Sequence, residues 1–165
     1  AEENLRKAIE LEPSDLDAHN SYGWFLCTRG RYDEGHTQFT DAMRNPLYDK
    51  PELAMTNAGQ CSEKKGDFKQ AEAYYNKALK LQPNASQATL KLAALQFRND
   101  NVAEAQRTLK RYMDLYTPSA EALWLAVRIE RKLGNKTQEA LYNQQLRRNF
   151  PEAPEAKLLL QGQYE

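Results

Sequence analysis

The sequence predicts an all-α fold built from repeated pairs of antiparallel helices, and three observations support that prediction. Similar residues recur with a period of about thirty-four along the 165 residues of the chain. Each period holds two stretches with helical spacing of apolar residues, and a proline follows the second stretch. The mean hydropathy is strongly negative, so the apolar surface is spread thinly, as in a repeat array with shallow cores.

The clearest copy of the repeat covers residues 52–85. Its order of small, aromatic and turn residues resembles the tetratricopeptide repeat, a helix-turn-helix unit of about 34 residues. The matching residues are Gly59, Gly66, Phe68, Ala71, Tyr75, Ala78 and Pro83. Gly59 and Ala71 lack bulk and let two helices approach closely, while Gly66 and Pro83 are helix stop signals. The resemblance implies a right-handed superhelix of antiparallel helix pairs.

The remaining residues are weaker copies with the same period. One copy carries a two-residue insertion with two prolines, which predicts a bent loop and a wider joint. The last copy is degenerate, because Arg128 and Gln144 stand where small or aromatic residues belong. The predicted repeat copies are 16–51, 52–85, 86–118 and 119–151; the first of these carries the insertion, the third has Asn99-Asp100-Asn101 at its turn, and the last is the degenerate copy. Residues 1–13 are predicted to be the second helix of a unit whose first helix is missing. Residues 153–163 are predicted to be a capping helix with Ala156, Leu158, Leu159 and Leu160. On this interpretation the chain is a fragment of a longer array.

Composition and charge exclude several classes of protein. The 23 Lys and Arg residues balance 23 Asp and Glu residues, and no large basic cluster is present, which argues against a nucleic-acid surface. The longest apolar run falls far short of the ~18 residues of a membrane span, and residues 1–13 are helix-like and acidic rather than a signal peptide. The sequence therefore predicts a protein partner.

No residue set indicates catalysis, a metal site or a cofactor. The two histidines, His19 and His36, fall at packing positions of the repeat and belong to no catalytic or metal-ligand constellation. We therefore expect both to be structural, and the protein to be no enzyme.

The inner wall of a tetratricopeptide array is lined by its first helices, so the resemblance implies where a partner binds. Apolar anchors among amides suit recognition of an extended or helical peptide. The predicted partner-binding residues are Asn20, Trp24, Thr28, Leu53, Asn57, Gln60, Leu90, Lys91 and Phe97. For Trp24 the alternative is packing inside its own repeat. A chaperone-type clamp for a C-terminal carboxylate is not expected, because its five positions here read Asn20, Trp24, Asn57, Gln87 and Lys91.

The two cysteines, Cys27 and Cys61, are one repeat apart. The register places them in the first helices of adjacent units, where two small facing side chains can approach to the ~4.4–6.8 Å between Cα atoms that a disulfide requires. The alternative is two buried thiols in a reducing cytosol. Register alone leaves both possibilities open.

Four segments carry a more specific resemblance, including the irregular loop and both cysteines. These are residues 20–27 (NSYGWFLC), 45–48 (NPLY), 57–61 (NAGQC) and 146–151 (LRRNFP), which resemble the type IV pilus biogenesis lipoproteins of the PilF/PilW family. The resemblance implies a pilotin on the periplasmic face of the bacterial outer membrane that helps the pilus secretin assemble. It also implies a lipid anchor on a cysteine preceding Ala1 and favours a Cys27–Cys61 disulfide. The alternative function is a generic tetratricopeptide adaptor that binds an unrelated protein in the cytosol.

Overall fold

The computed structural model describes residues 1–164, which form ten α-helices and no strand. The helices are α1 (Glu2–Leu11), α2 (Leu16–Thr28), α3 (Tyr32–Arg44), α4 (Pro51–Lys65), α5 (Phe68–Leu81), α6 (Ser86–Arg98), α7 (Val102–Leu115), α8 (Ala120–Leu133), α9 (Lys136–Asn149) and α10 (Pro154–Leu160). They group into two compact units, residues 1–88 and the residues from Thr89 onward. The predicted all-α fold is confirmed.

In the first unit, the close approach of α4 and α5 depends on the small residues that the repeat pattern contains. Ala71 and Tyr75 on α5 are fully buried. A Cβ atom added to Gly59 on α4 would lie 2.5 Å from Cε1 of Tyr75, so the tyrosine ring occupies the space that a larger residue would fill. The Tyr75 hydroxyl donates a hydrogen bond to Glu63 Oε1 at 2.5 Å. This pair therefore combines tight packing with a satisfied polar tip.

The loop between α3 and α4 is bent, but a side chain fills the joint that the two prolines were expected to widen. Tyr48 is buried and packs with Ala42 and Ala54. Its hydroxyl donates to Asp17 Oδ1 at 3.2 Å, and Lys50 forms an ion pair with the same carboxylate at 3.2 Å. The insertion thus supplies an aromatic residue that packs the two helices together.

The second unit contains two adjoining apolar clusters. The first lies among α6, α7 and α8 and includes Leu109 and Ile129. The second lies where α10 packs on α8 and α9; Ala156 is buried there and Leu158 and Leu159 are half-buried. Leu160, which was expected to join this cap, is the last residue of α10 and is 68% exposed. The short helix therefore covers the cluster with three of the four expected side chains.

The turns that close each helix pair share one backbone geometry. Gly30, Gly66 and Gly134 adopt positive φ angles of 79°, 89° and 75°, and Asp100 takes the corresponding place between α6 and α7 with φ of 65°. In this turn Asn101 N donates to the Gln96 carbonyl at 2.8 Å, the same bond pattern that surrounds the three glycines. Asp100 therefore occupies a position that favours glycine.

We expect Asp100→Gly to raise the free energy of unfolding by about 0.5–1 kcal/mol, because glycine adopts the left-handed conformation without the steric cost of a Cβ. Urea unfolding followed by circular dichroism measures the change. Asp100 also pairs with Lys132 on the surface, so Asp100→Asn is the matched control: it removes the charge and tolerates the same φ. A destabilised Asp100→Gly protein would show that the ion pair outweighs the backbone strain.

Candidate functional site

The predicted partner-binding residues of the first unit include three amides on α2 and α4. Asn57 Nδ2 donates to Asn20 Oδ1 at 3.0 Å, and Gln60 Nε2 lies 3.5 Å from Asn57 Oδ1, at the limit of a hydrogen bond. Asn20 is 6% exposed, whereas Asn57 and Gln60 are half-buried. The buried amide therefore orients the two more accessible ones, which keep donor and acceptor capacity for another chain.

Apolar and cationic groups lie on the same two helices. Trp24 is half-buried, packs against the cluster around the cysteines, and has Lys64 Nζ 5.7 Å from its ring centroid. Leu53 is half-buried. Thr28 is exposed, and its hydroxyl donates to the Phe25 carbonyl at 2.7 Å. Trp24 thus packs within its own unit and also keeps an accessible part of its ring.

The two cysteines lie side by side in the core of the first unit. Their Cα atoms are 5.5 Å apart, inside the range that a disulfide requires, and the two sulfur atoms lie within bonding distance. Cys27 and Cys61 are almost fully buried and pack with Phe39 and Ala58. The pair thus lies on adjacent helices, as its register in the repeat indicates.

The two histidines make different contacts. His19 Nδ1 lies 2.8 Å from Gln38 Oε1, and its Nε2 lies 3.2 Å from the Pro13 carbonyl oxygen. His36 Nε2 lies 3.2 Å from Ser62 Oγ, and its ring stacks on Tyr74. His36 Nδ1 is buried and has no hydrogen-bond partner among residues 1–164. Both side chains are therefore held by packing and local hydrogen bonds.

His36 gives the first unit a pH-dependent stability. Burial and the nearby charge of Lys65 lower the pKa of His36 below its ordinary value of 6.5, against smaller opposing effects of Asp33 and Asp67. The unfolded chain therefore takes up a proton at this residue before the folded chain does. The free energy of unfolding therefore contains the full contribution of neutral His36 above about pH 6.5. This contribution is lost as the pH falls from there towards the lowered pKa of the folded state.

We accordingly expect the urea concentration at the unfolding midpoint of the wild-type protein to decrease as the pH is lowered from 7.5 to 5.5. In His36→Gln the midpoint should change less with pH. Urea unfolding at pH 7.5, 6.5 and 5.5 measures it. His19→Gln is the matched control, since it removes the other histidine and leaves His36 in place. An equal dependence on pH in wild type and His36→Gln would contradict the assignment.

In the second unit, the predicted residues have three different environments. Leu90 is 7% exposed and packs with Ala93, Leu109 and other residues of the apolar cluster, so it belongs to the core and is not an accessible anchor. Lys91 is half-buried and forms an ion pair with Glu121 at 2.7 Å. Phe97 is half-buried and presents its ring to two cations. Only Lys91 and Phe97 of this group are accessible to a partner.

The cations above Phe97 belong to a cluster that the sequence analysis missed. The guanidinium carbon of Arg128 lies 4.8 Å from the Phe97 ring centroid, and Lys132 Nζ lies 5.6 Å from it. Tyr164 stacks on Trp124 with ring centroids 5.6 Å apart, and its carbonyl accepts a hydrogen bond from Arg128 Nε at 2.8 Å. The sequence feature that could have indicated this cluster is Arg128, which stands where the repeat pattern has a small or aromatic residue.

The second unit also holds a cleft of about 860 Å³ among α7, α8 and α9. Its apolar lining includes Met113 and Tyr142. Glu130 in the lining is 5% exposed and accepts hydrogen bonds from Gln106 at 2.9 Å and from Asn135 at 2.7 Å. The cleft therefore combines apolar side chains with polar groups, of which Glu130 is already paired.

Comparisons with known proteins place this fold in a functional context. Tetratricopeptide repeat models match residues 4–37, 26–86 and 64–129. PilW, whose crystal structure is described as that of a widely conserved type IV pilus biogenesis factor, is 34% identical in sequence to this chain. The match covers 96% of this chain and 73% of the PilW chain, and the two structures superpose with a TM-score of 0.83. The chain belongs to the tetratricopeptide-repeat family of type IV pilus biogenesis proteins.

Two further matches concern a PilF of this family. The type IV pilus assembly protein PilF of Pseudomonas aeruginosa is 28% identical over 155 residues, which make up 92% of this chain. A structure of PilF from the same species has a TM-score of 0.80 at 25% identity and covers 97% of this chain and 72% of its own. The chain spans 60% of the length of the curated PilF sequence. Within residues 1–164, no helix has the length and apolar character needed to cross a membrane.

Proposed function

We propose that this protein is a non-enzymatic scaffold in type IV pilus biogenesis. In this proposal it acts as a pilotin, which helps the pilus secretin to reach the outer membrane and to assemble into its multimeric pore. The observation that carries the proposal is the 34% identity to PilW across 96% of the chain, together with the shared fold. Repeated helix pairs provide extended surfaces for protein partners, which suits an assembly factor.

The proposed location is the periplasmic face of the outer membrane, with a lipid anchor in the full-length protein. Its pilus-assembly relatives imply the bacterial envelope. The buried Cys27 and Cys61, with Cα atoms 5.5 Å apart, suit an oxidising compartment in which a disulfide forms and persists. A cytosolic adaptor would instead keep both thiols reduced.

Mass spectrometry of protein isolated without reductant from the cells that naturally produce it tests the location. After alkylation under denaturing conditions we expect no label on either cysteine, and two labels once a reductant is added first. Labelling of both residues without reductant would favour the cytosolic adaptor.

The proposed secretin contacts are the accessible residues among those predicted from the repeat pattern. On α2 and α4 these are Trp24, Leu53 and the amides of Asn57 and Gln60, with Thr28 at the end of α2 and Asn20 orienting the amides. On α6 they are Lys91 and Phe97. Amide groups can pair with the backbone of an extended peptide, and aromatic rings supply the apolar anchors.

Capture of purified secretin by the full-length protein, measured as a dissociation constant, tests the function. We expect Trp24→Ala and Phe97→Ala to weaken capture roughly tenfold or more, as truncation of a buried interface aromatic does. Leu47→Ala is the matched control, because Leu47 is 87% exposed on the loop before α4. Urea midpoints of all variants separate lost contact from lost folding, and no capture by the wild type would refute the pilotin proposal.

A further inference from the structure

A small cavity on the second unit contains a guanidinium, that of Arg128, which has no anionic partner among residues 1–164. The cavity has a volume of about 350 Å³ and is lined by Phe97, Arg128, Arg131, Lys132 and Tyr164. Arg128 Nε donates to the Tyr164 carbonyl, while no residue within 1–164 accepts a hydrogen bond from its two terminal nitrogens. The ring of Phe97 below and the carbonyl beside it hold the guanidinium in one orientation. Within residues 1–164 the two terminal nitrogens therefore keep their capacity to donate hydrogen bonds.

The other two cations of this cavity already have carboxylate partners. Arg131 forms an ion pair with Glu139 at 3.0 Å, and its guanidinium carbon lies 3.9 Å from the Tyr164 ring centroid. Lys132 pairs with Asp100. Among the described residues that line the cavity, Arg128 is thus the cation without an anionic partner. Burial of its side chain lowers the pKa of Arg128 from its usual value, although it stays charged at neutral pH.

A partly desolvated guanidinium gains more from pairing with an anion than a fully hydrated one does, because the local dielectric constant is lower. The planar fork of two terminal nitrogens matches a carboxylate, which accepts two parallel hydrogen bonds. One cation without an anionic partner among the described residues matches the single negative charge of a carboxylate, whereas a phosphate dianion would keep a negative charge unpaired. Phe97 and Tyr164 line the same cavity, so a side chain next to the acidic one would meet aromatic rings as well as the cations that lie over them.

We propose that the cavity around Arg128 binds a carboxylate of an acidic, aromatic-flanked segment in the protein partner. The site differs from the chaperone-type clamp, whose positions here are occupied mainly by uncharged residues. The assignment of the carboxylate to a protein rests on the proposed function, but the chemistry of the site can be tested without secretin.

The first test uses two capped tripeptides, acetyl-Phe-Glu-Phe-amide and acetyl-Phe-Gln-Phe-amide, which differ only in the carboxylate. Their binding to the full protein is followed by the ¹H–¹⁵N resonance of the Arg128 side chain, assigned by its loss in Arg128→Lys. We expect a saturable shift with the glutamate peptide and at least a several-fold smaller shift with the glutamine peptide at equal ionic strength. The Arg147 resonance is the control, because that side chain is exposed on α9 away from this cavity.

Equal responses to the two peptides, or equal responses of Arg128 and Arg147, would overturn the proposal. Inorganic phosphate is titrated as well, and tighter binding of phosphate than of the glutamate peptide would overturn the choice of carboxylate.

The second test returns to secretin capture. Arg128→Lys, which keeps the charge and loses the fork, is expected to weaken capture roughly tenfold, whereas Arg147→Lys leaves it unchanged. Unchanged urea midpoints show that both variants fold. If the glutamate peptide binds and Arg128→Lys still captures secretin fully, the site does not contact this partner and that part of the proposal is wrong. If the wild type captures no secretin while the peptide binds, the proposed function fails and the carboxylate site remains supported.

Discussion

Reduction of a Cys27–Cys61 disulfide is expected to lower the free energy of unfolding by about 4 kcal/mol. The cross-link joins residues that are 34 apart in sequence, and closing a loop of that length removes chain entropy from the unfolded state. Both cysteines are buried between α2 and α4, so reduction also loosens the contact of two adjacent repeat units. Guanidinium unfolding of the oxidised protein, with and without reductant, measures the difference.

The double variant Cys27→Ala/Cys61→Ala is the control for this measurement. The two alanines are small enough to occupy the buried positions of the cysteines and cannot form a cross-link, so the stability of this variant should not respond to reductant. If wild type and double variant respond equally to reductant, or if the wild type does not respond, the cross-link contributes nothing to stability and the entropic argument does not apply.

Gly35→Ala is expected to destabilise the first unit by about 3 kcal/mol, although alanine normally stabilises a helix interior by roughly 0.5–1 kcal/mol relative to glycine. A Cβ atom at this position on α3 would overlap Cys27 Sγ and lie 2.8 Å from the Gly23 carbonyl oxygen on α2. Neither atom can move freely, because one is a buried sulfur and the other belongs to the helix backbone. The added methyl group therefore forces α2 and α3 apart.

Thermal and urea unfolding of Gly35→Ala measure this effect, and two variants calibrate it. Thr37→Ala on the exposed side of α3 reports the ordinary response of this helix to alanine and should change stability little. In Gly59→Ala the nearest atoms belong to the Tyr75 ring, which can rotate slightly, so a smaller loss is expected than at Gly35. A Gly35→Ala protein as stable as wild type would mean that α2 and α3 are not in this close contact.

Much of the fold could be predicted from the repeat because its signals are local or periodic. Gly66 ends α4 in a left-handed conformation, and Pro83 follows the end of α5. The spacing of Gly59 and Tyr75 places a small residue opposite a large one at a helix crossing, and the structure has this contact. Such patterns predict structure because residues three or four apart in sequence lie on the same face of an α-helix, whose pitch is fixed.

The candidate site was less predictable, since position on a helix face does not determine what a side chain meets. Leu90 occupies a first-helix position assigned to the inner wall, yet it is buried among residues of α7 and α8. Trp24 has the same type of position and remains half-buried beside Lys64. The difference depends on how tightly neighbouring helices pack, which a single repeat does not encode.

The sequence by itself determined the all-α repeat and the turn positions, which follow from a period of about thirty-four residues, and four further segments indicated the family. The register placed Cys27 and Cys61 on adjacent first helices but left their pairing open, and the structure brings their Cα atoms to 5.5 Å. Only the tertiary structure decided the environment of Arg128. Its partners, Phe97 and the carbonyl of Tyr164, lie 31 residues before it and 36 residues after it, and the repeat pattern does not specify these side-chain contacts. Charges pair in space and not along the chain, so a guanidinium without an anionic partner among the described residues can be recognised only once its folded neighbours are known.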